Sequence, residues 1–575
     1  MSDNIPSTEV LPPLQVADSN SVAWDEHCDV LVVGWGAAGA CAALEALDQG
    51  VDVLIADRFT GGGASAKSGG VVYAGGGTRH QQAAGFNDSP EAMFDYLKHE
   101  TQGVVSDDTL RRFCADSVSN LDWLESHGAP YAHQMPPGGK TSYPPDGYFL
   151  YYSGNELVPD HAGPLPPAPR GHRTVGKGQC GAVLYAHLKA ACLKAGARTL
   201  LQAAARRLVI DFQGRVLGME LWCLPEGSKE AELHARLAAR AERLQNFAAG
   251  YCKKLRQKVS QLERDFAQPR RVQARKGVIL STGGFIFNRQ MVEQHAPKFR
   301  RNFKVGATGC DGSGLRLGVS VGGQGSRLER VSAWRFINPP YSWHKGIVVN
   351  SEGQRFCNEE VYGATLGQPL MEEQGGKAWL VLDAPLRKKA IREALFGGYW
   401  WFQSFPALAL MLLKVRKGKT LSELAGETAM DPAVLRASVL AANAGARGEA
   451  PEPFGKSQGG RQVLEKGPFY ACDISVTNPV FPLGALTLGG LRVDERSGAV
   501  LDKQGLAISG LYAAGRSALG IPSHLYISGL SLADCVFSGR RAGAAVACSN
   551  SHLPQATVEI GLAAATLRND VGGFA

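Results

Sequence analysis

The 575-residue chain lacks several features that would place it in other classes of protein. Its twelve cysteines include no Cys-x-x-Cys pair, so neither an iron–sulfur cluster nor a structural zinc is indicated, and we predict no metal site. No run of eighteen apolar residues lacks a polar interruption, so no membrane-spanning helix is predicted. The opening residues are polar and contain prolines, unlike a signal peptide, and a cytoplasmic location is expected.

An even spread of positive charge is also absent, although the formal net charge is +8. Residues 224–275 contain twelve Lys or Arg and six Asp or Glu, and the rest of the chain is close to neutral. A nucleic-acid surface needs a broad basic face. We therefore predict no nucleic-acid partner.

A dinucleotide fingerprint is present near the start of the chain. The apolar run in Asp29–Gly39 leads into Gly34, Gly36 and Gly39, and after helix-favouring residues a second apolar run ends at Asp57. This order predicts strand, glycine turn, helix and strand. The first glycine allows the turn, the second lets the backbone approach a pyrophosphate, and the third allows close packing of the helix. The acid would accept a hydrogen bond from a ribose hydroxyl, and the helix N-terminus would face the phosphates.

Other patterns predict the elements around this unit. They are a glycine-serine loop over 60–78, two helices over 89–128, irregular chain over 130–171, a helix over 176–195, a β-hairpin over 207–222 and a strand over 277–282.

Residues 228–267 interrupt the chain between that hairpin and that strand. Apolar residues recur at every third or fourth position with charges on the other faces, which predicts a long helix or a helical hairpin broken at Gly250. Three roles stay open for this segment: packing on its own domain, self-association, and contact of its basic face with anionic lipid. The oligomeric state is not predicted.

Four motifs occur in order along the chain. They are Gly34-x-Gly36-x-x-Gly39, Gly-Ala-Ser-Ala-Lys-Ser-Gly-Gly at 63–70, Thr282-Gly283-Gly284, and Gly510-Leu-Tyr-Ala-Ala-Gly515. On these motifs, residues 28–548 resemble the flavoprotein superfamily of fumarate reductases and 3-ketosteroid dehydrogenases. The resemblance implies the α/β fold class, with a Rossmann-like FAD-binding domain of glutathione-reductase type interrupted by an α+β substrate-capping domain.

The resemblance also divides the chain. The predicted parts are a flexible N-terminal arm (1–23), the first part of the FAD-binding domain (24–327, with the helical insertion 228–267), the capping domain (328–478), the second part of the FAD-binding domain (479–550) and a C-terminal tail (551–575).

The resemblance implies a set of residues that bind FAD. They are Gly34, Gly36, Ala38, Gly39, Asp57, Arg58, Ser65, Ala66, Lys67, Ser68, Gly69, Gly70, Ala205, Thr282, Gly283, Asp311, Gly515, Ser531 and Leu532. Some relatives attach the flavin to a histidine of the serine loop, but residues 61–72 contain none, so we predict non-covalent FAD. No second nucleotide fingerprint and no haem or cluster motif is found, so an external electron acceptor is expected.

One departure from the family bears on the substrate. Relatives that reduce fumarate carry an acid-catalyst arginine after a Gly-x-Arg-Phe-x-Asn-Glu motif. Here that motif begins at Gly353, and Gly363 stands where the arginine is expected. A glycine can neither clamp a carboxylate nor donate a proton, which argues against fumarate or succinate.

Hydroxyl-bearing residues instead resemble those of the steroid dehydrogenases. Tyr526 and Ser528 come just before a helix predicted over 531–546, and the resemblance implies that this helix begins near the flavin. Tyr362 precedes the missing arginine. Tyr526, with a backbone N–H around Gly529, would hold the enolate that develops at a C3 ketone. Ser528 or Tyr362 would relay the C4 proton while hydride leaves C5 for flavin N5. Tyr341 is a further predicted substrate contact, and His524 either acts as the base or caps the helix.

Tyr526-Ile-Ser-Gly most resembles the motif of those family members that oxidise the C4–C5 bond, so the resemblance implies an FAD-dependent 3-ketosteroid dehydrogenase that forms the C4–C5 double bond of 5α-3-ketosteroids. The alternatives are a dehydrogenase that desaturates C1–C2, a fumarate-reductase-like enone or enoate reductase, and an electron-transfer subunit with no substrate site. The apolar stretch 396–413, followed by basic residues from Lys414, has three readings: a wall for the steroid, the core of the cap, or contact with a membrane surface.

Overall fold

A nine-stranded sheet underlies the nucleotide-binding part of the computed structural model, which describes residues 7–549. The order across the sheet is Leu14–Val16, Ala203–Asp211, Val216–Cys223, Gln268–Leu280, Glu26–Val33, Val53–Asp57 and Arg198–Leu201, with Ala507–Ala513 beside the end of Gln268–Leu280 and Ala499–Leu501 beside Ala507–Ala513. Glu26–Val33 pairs in parallel with both Val53–Asp57 and Gln268–Leu280, whereas Val216–Cys223 pairs antiparallel with both of its neighbours.

The predicted strand–helix–strand unit is present. Strand Glu26–Val33 is followed by helix Ala37–Asp48 and by the parallel strand Val53–Asp57. The helix buries mostly alanine, so helix Leu530–Cys548 can pack tightly against it. A Cβ at Gly543 would lie 2.3 Å from the carbonyl oxygen of Ala42. This close approach brings the start of the last helix to the fingerprint loop.

Further helices complete the nucleotide-binding part. They are Gly63–Ala66, Arg79–Ala83, Pro90–Thr101, Asp107–Ala115, Ser117–Ser126, Gly181–Lys194, Lys229–Leu244, Ala249–Phe266, Arg289–His295 and Ser313–Ser320. The predicted β-hairpin is present as Ala203–Asp211 and Val216–Cys223, and the predicted strand ends at Leu280.

The region predicted as the cap has a sheet of its own, with helices packed around it. Its antiparallel strands, in order, are Ile347–Val349, Trp379–Leu382, Phe469–Asp473 and Val415–Gly418, and its helices are Gly363–Glu372, Ala384–Phe396, Trp401–Leu412, Leu421–Thr428 and Pro432–Arg447. Strand Gly484–Thr487 also pairs with both Phe303–Lys304 and Val331–Trp334. This small sheet joins all three predicted parts, so the domain boundaries stay a prediction.

Three predicted features differ from the structure. The arm is packed from residue 7 onward: Thr8 donates to Asp311 through both its backbone N–H and its hydroxyl, and Leu14–Val16 is an edge strand. The segment predicted as two helices forms three, because Gln102 adopts positive φ and ends the first, and Ser106 caps the second. The predicted irregular segment contains the short strand Leu150–Tyr151, which pairs with Gly171–Arg173 and, through it, with Val71–Tyr73.

The insertion is a helical hairpin, as one of the predictions had it. Its helices are Lys229–Leu244 and Ala249–Phe266, and the break lies at residues 245–248 instead of at Gly250, which belongs to the second helix. Both helices pack on the nucleotide-binding part. The predicted tail 551–575 lies outside the described residues, and among residues 7–549 no helix combines the length and hydropathy needed to cross a bilayer.

Candidate active site

The first of two adjoining cavities lies over the glycine fingerprint. Gly34 has φ +100°, and a Cβ there would lie 2.7 Å from the carbonyl oxygen of Ser281. A Cβ at Gly39 would lie 2.0 Å from the carbonyl oxygen of Gly34. Only glycine fits these two positions. Predicted cofactor residues line the cavity, together with Ala37, which was not predicted: Gly34, Gly36, Ala38, Asp57, Arg58, Ser65, Ala66, Lys67, Ala205, Thr282 and Gly283.

The carboxylate of Asp57 is held at the wall of this cavity. One oxygen accepts from the backbone N–H of Trp35 at 2.8 Å, and the other accepts from that of Phe59 at 2.7 Å. These bonds fix the acid at the end of its strand, where a ribose binds in this type of fold. Asp311 does not line the cavity; it accepts from Arg58 and Thr8 and so positions the arginine.

The serine loop is bound to the first helix. The backbone N–H of Ala37 donates to the Ser65 hydroxyl at 3.0 Å. The N-cap residue of that helix is Gly36, which has no side chain to cap the remaining N–H groups. Other free N–H groups of the first turn therefore remain to bind phosphate. The loop then runs into the second cavity, which Ser68 and Gly69 line, whereas Gly70 packs away from it and accepts from Thr174. This donor set fits a dinucleotide.

The second cavity is aromatic and has few charged groups. Its rings include Trp334, Phe336, Tyr143, Phe402 and Phe481, and the predicted residues Tyr362, Tyr526, Ser528, Gly529, Ser531 and Leu532 line it as well. Two aromatic contacts hold the tyrosines: Tyr526 lies 5.0 Å from Trp334 and Tyr362 lies 5.5 Å from Phe336, centroid to centroid. The structure thus brings together all three predicted catalytic residues, although their roles stay a prediction.

A chain of hydroxyls surrounds Ser528. The hydroxyls of Ser528 and Tyr151 are 3.1 Å apart, and the backbone of Gly529 lines the same cavity as Tyr526. Burial raises the pKa of Tyr526 to about 12, although Arg516 opposes the shift. Burial also raises the pKa values of Tyr362 and Tyr151 well above the usual value, against a smaller opposing contribution from Ser528. At neutral pH these tyrosines are hydrogen-bond donors.

The two cavities share one wall. It is formed by Ala64, Ser65, Lys67, Arg516 and Cys535. Arg516 donates to the Cys310 sulfur at 3.4 Å, and its buried Nη1 has no protein partner. It is the one arginine among the described residues that line the second cavity. Arg516 is not among the predicted site residues, although its place directly after Gly515 is a signal in the sequence.

The glycine at the expected arginine position is sterically required. A Cβ at Gly363 would lie 2.5 Å from the ring of Phe336, which lines the cavity. An arginine at 363 would therefore displace this aromatic wall. The cavity presents rings where a dicarboxylate would need paired cations.

Three further predicted residues lie outside the substrate cavity. Tyr341 is not part of the cavity lining; its ring packs against Tyr399 at 5.8 Å. Its position in a short turn after two prolines turns the ring away, which sequence patterns do not show. His524 also lies outside the lining and contacts Arg330, and burial with that arginine lowers its pKa to about 4. A histidine bonded to a guanidinium is poorly placed to serve as the base. Gly515 lines neither cavity and packs between Ala38 and Cys535.

Comparison with known proteins agrees with this geometry. A family model described as an FAD binding domain matches residues 29–527. The 3-oxo-5-alpha-steroid 4-dehydrogenase of Comamonas testosteroni is 50% identical over 520 residues, covering 87% of this chain and 95% of that protein. The 3-oxosteroid 1-dehydrogenase of Mycolicibacterium smegmatis is 27% identical over 583 residues, covering 87% of this chain and 94% of that protein.

Among solved structures, the 3-ketosteroid-delta4-(5alpha)-dehydrogenase of Rhodococcus jostii RHA1, in complex with 4-androstene-3,17-dione, is similar with a TM-score of 0.77 and 28% identity. The match covers 93% of this chain and all of that one, at 100%. These findings confirm the predicted α/β fold class and FAD as the cofactor. The chain therefore belongs to the FAD binding domain family, within the flavoprotein superfamily that includes 3-ketosteroid dehydrogenases and fumarate reductases.

Proposed function

We propose that the protein is an FAD-dependent 3-ketosteroid dehydrogenase that introduces the C4–C5 double bond into 5α-3-ketosteroids. The observation that carries this proposal is the second cavity, where Tyr526 and Ser528 stand among aromatic rings next to the cofactor cavity. A large apolar cavity with a few convergent hydroxyls suits a rigid hydrocarbon substrate with one ketone. The 50% identity to a relative named for this reaction supports the same conclusion.

Tyr526 is the residue that would hold the ketone. Its hydroxyl donates to the C3 oxygen, and the backbone N–H of Gly529, which lines the same cavity, would be a second donor to that oxygen. As the C4 proton leaves, negative charge develops on the ketone oxygen, and a fixed donor in a buried site stabilises that charge. The raised pKa of Tyr526, about 12, keeps this donor protonated.

Ser528 is the residue that would take the C4 proton onward. Its hydroxyl has the Tyr151 hydroxyl as a neighbour at 3.1 Å, so the serine can accept at one lone pair and donate at its own proton. Tyr362 lines the same cavity and would be the alternative relay for this proton. FAD, held by the fingerprint and the serine loop without a covalent bond, supplies the acceptor for the hydride that leaves C5. An external electron acceptor would then reoxidise the protein.

The test is an anaerobic titration of the purified protein with 5α-3-ketosteroids, followed by product analysis. We expect stoichiometric loss of the yellow absorbance and a C4–C5 enone as the product. A C1–C2 enone would assign the alternative dehydrogenase instead. The proposal would be overturned if none of the steroids bleached the flavin and the protein instead reduced fumarate or another enoate in a dye-linked assay.

An exposed apolar patch beside the second cavity supports a further part of the proposal, contact with an anionic membrane surface. The patch consists of Phe247, Phe396, Trp401, Phe405 and Leu413, each more than 60% exposed. Exposed Lys414, Arg416, Lys417 and Lys419 follow it directly in the chain. Apolar side chains bordered by cations suit an acidic bilayer. Phe402, on the same helix, lines the cavity, so a lipid-dissolved steroid would have a short path to the site.

Sedimentation with vesicles tests this contact. We expect binding to phosphatidylcholine vesicles that contain phosphatidylglycerol, weaker binding to phosphatidylcholine alone, and loss of binding in Phe405→Ser with Leu413→Ser. Leu506→Ser, at a similarly exposed leucine far along the chain, is the control. Equal binding by the double variant, or a change in its molar mass by light scattering, would contradict the membrane assignment.

A further inference from the structure

The helical hairpin 229–266 stands where the fold requires only a turn. The strands on either side of it pair with each other, with Cys223 opposite Gln268. A two-residue turn would connect such antiparallel neighbours. Instead, the chain leaves the sheet, forms two helices and returns to the partner strand. The hairpin is therefore an insertion in the nucleotide-binding part that the sheet itself does not require.

The first helix of the hairpin forms part of the wall of the cofactor cavity. Five of its residues on successive turns line that cavity: His234, Ala235, Ala238, Ala239 and Glu242. Opposite them stand Arg58, Phe59 and Ala205, at the adenosine end of the fingerprint. The three alanines leave room for a ligand between the helix and the sheet, which bulky side chains would fill.

Glu263, on the second helix, forms the first of two ion-pair contacts between the hairpin and the rest of the nucleotide-binding part. Its carboxylate receives two hydrogen bonds from Arg58, at 2.8 and 2.9 Å, and one of its oxygens lies 3.1 Å from His234 Nε2. His234 also stacks on Phe59, with centroids 5.8 Å apart. Burial alone would raise the pKa of Glu263, but Arg58 and the His234 hydrogen bond lower it to about 2.

Glu242, on the first helix, forms the second ion-pair contact. It pairs with Lys67 of the serine loop, and it accepts from the backbone N–H of Thr308 at 2.9 Å. Arg256 of the second helix donates to the Thr308 hydroxyl at 2.8 Å. Lys67 and Thr308 both line the cofactor cavity. The hairpin is thus bound to two separate edges of that cavity.

We propose that the hairpin is a roof over the adenosine-diphosphate half of FAD, and that the cofactor leaves only when the ion pairs of Glu263 and Glu242 break. Ordinary fingerprint contacts hold the dinucleotide from below. The hairpin closes the site from above with two ion pairs at opposite edges. Its role is the retention of FAD, which is separate from the identity of the substrate.

The experiment measures the rate at which FAD leaves the loaded protein, followed by the rise in fluorescence of released FAD after dilution to a concentration at which FAD does not rebind. Glu242→Gln and Glu263→Gln each remove one ion pair while keeping a similar shape. We expect FAD to dissociate about tenfold faster or more from each variant, and faster still from the double variant. Glu232→Gln is the control, because Glu232 is exposed on the same helix and does not line the cavity; its rate should stay within twofold of the unmodified protein.

Dissociation at the unmodified rate from both single variants and from the double variant would overturn the proposal. Hydrogen–deuterium exchange of the unmodified protein gives a second readout that needs no variant to fold. Binding of FAD to the apoprotein should slow amide exchange in 229–266, and equal exchange with and without FAD would also contradict the roof. Neither readout uses a steroid, so failure here leaves the proposed reaction untouched.

Discussion

The two adjoining cavities are built in different ways. The cofactor cavity is lined by the fingerprint and the serine loop, with mostly small residues from several other segments, and ion pairs of the hairpin close it. The substrate cavity consists of aromatic rings and hydroxyls from segments far apart in the chain, such as Tyr143, Trp334 and Tyr526. Backbone recognises a phosphate group that is the same in every nucleotide-binding protein, whereas specificity for a ketone needs individually placed side chains.

Electrostatics separates the cavities further. Beside the cofactor cavity, Arg58 is paired with both Glu263 and Asp311, and Lys67 is paired with Glu242. In the substrate cavity, Arg516 stands at the shared wall with an unpartnered Nη1, and the hydroxyls have raised pKa values. The first arrangement suits the binding of a charged ligand, and the second suits stabilisation of charge that appears only during a reaction.

The largest effect should come from the backbone of the cofactor cavity. Gly34→Ala places a Cβ 2.7 Å from the Ser281 carbonyl oxygen at a φ of +100° that alanine rarely adopts. We expect the purified variant to contain less than a tenth of the normal FAD, measured by the ratio of flavin to protein absorbance. Gly50→Asn is the control, because Gly50 has φ +76° with nothing near a Cβ. A fully yellow Gly34→Ala protein would break the distinction between backbone and side-chain recognition.

Next in size is the loss of a side chain that acts on the substrate alone. Tyr526→Phe removes the proposed donor to the ketone and keeps the ring against Trp334. Removal of one such donor lowers kcat by about 10²–10³-fold, so we expect that loss with normal FAD content, measured by steady-state turnover of a 5α-3-ketosteroid. Tyr341→Phe is the matched control, since that ring lies outside the cavity. A loss of less than tenfold in Tyr526→Phe would contradict the assignment.

The difference between the cavities explains how far the sequence could predict each one. Gly34, Gly36 and Asp57 lie within one short segment, where spacing alone implies a strand, a turn and a helix that meet at a phosphate. Tyr526 and Ser528 could be predicted because they precede a helix that the fold brings to the cofactor. The hairpin was predicted as helical from its periodicity, but the sequence does not show which face meets the cavity.

Residues that depend on distant partners could not be predicted in the same way. Tyr151 comes from a segment without periodicity, and only its pairing with Gly171–Arg173 brings it to Ser528. Phe336 becomes important because Gly363, across the cavity wall, leaves space for its ring. The early residues around Thr8 read as a loose arm because their contact, Asp311, is three hundred positions away in the chain. Side-chain convergence of this kind is a tertiary property.

A smaller effect should separate Ser528 from Tyr151. If the two hydroxyls form one proton path, Ser528→Ala and Tyr151→Phe should each lower kcat by about 10–100-fold, at the lower end of general acid–base contributions. The double variant should lose little more than Ser528→Ala alone, because residues that act as a unit are not additive. The measurement is kcat at saturating steroid for all four proteins. Fully multiplicative losses would show that Tyr151 does not act through the serine.

The smallest expected effect concerns pH: kcat/KM should stay nearly constant between pH 8 and pH 10.5. An unshifted tyrosine with a pKa near 10 would be roughly three-quarters deprotonated at pH 10.5. Tyr526 has its pKa raised to about 12, so it stays a donor at that pH. Its neutral form is favoured in the folded protein, so the deprotonation that would abolish donation begins only as the pH approaches the raised value. We therefore expect kcat/KM at pH 10.5 to lie within twofold of that at pH 8, with FAD content and circular dichroism recorded at both values.

A fall in kcat/KM centred near pH 10 would contradict this expectation. If the residual activity of Tyr526→Phe does not show that fall, the Tyr526 phenol titrates normally. The substrate cavity would then be more open to water than its ring of aromatic side chains indicates.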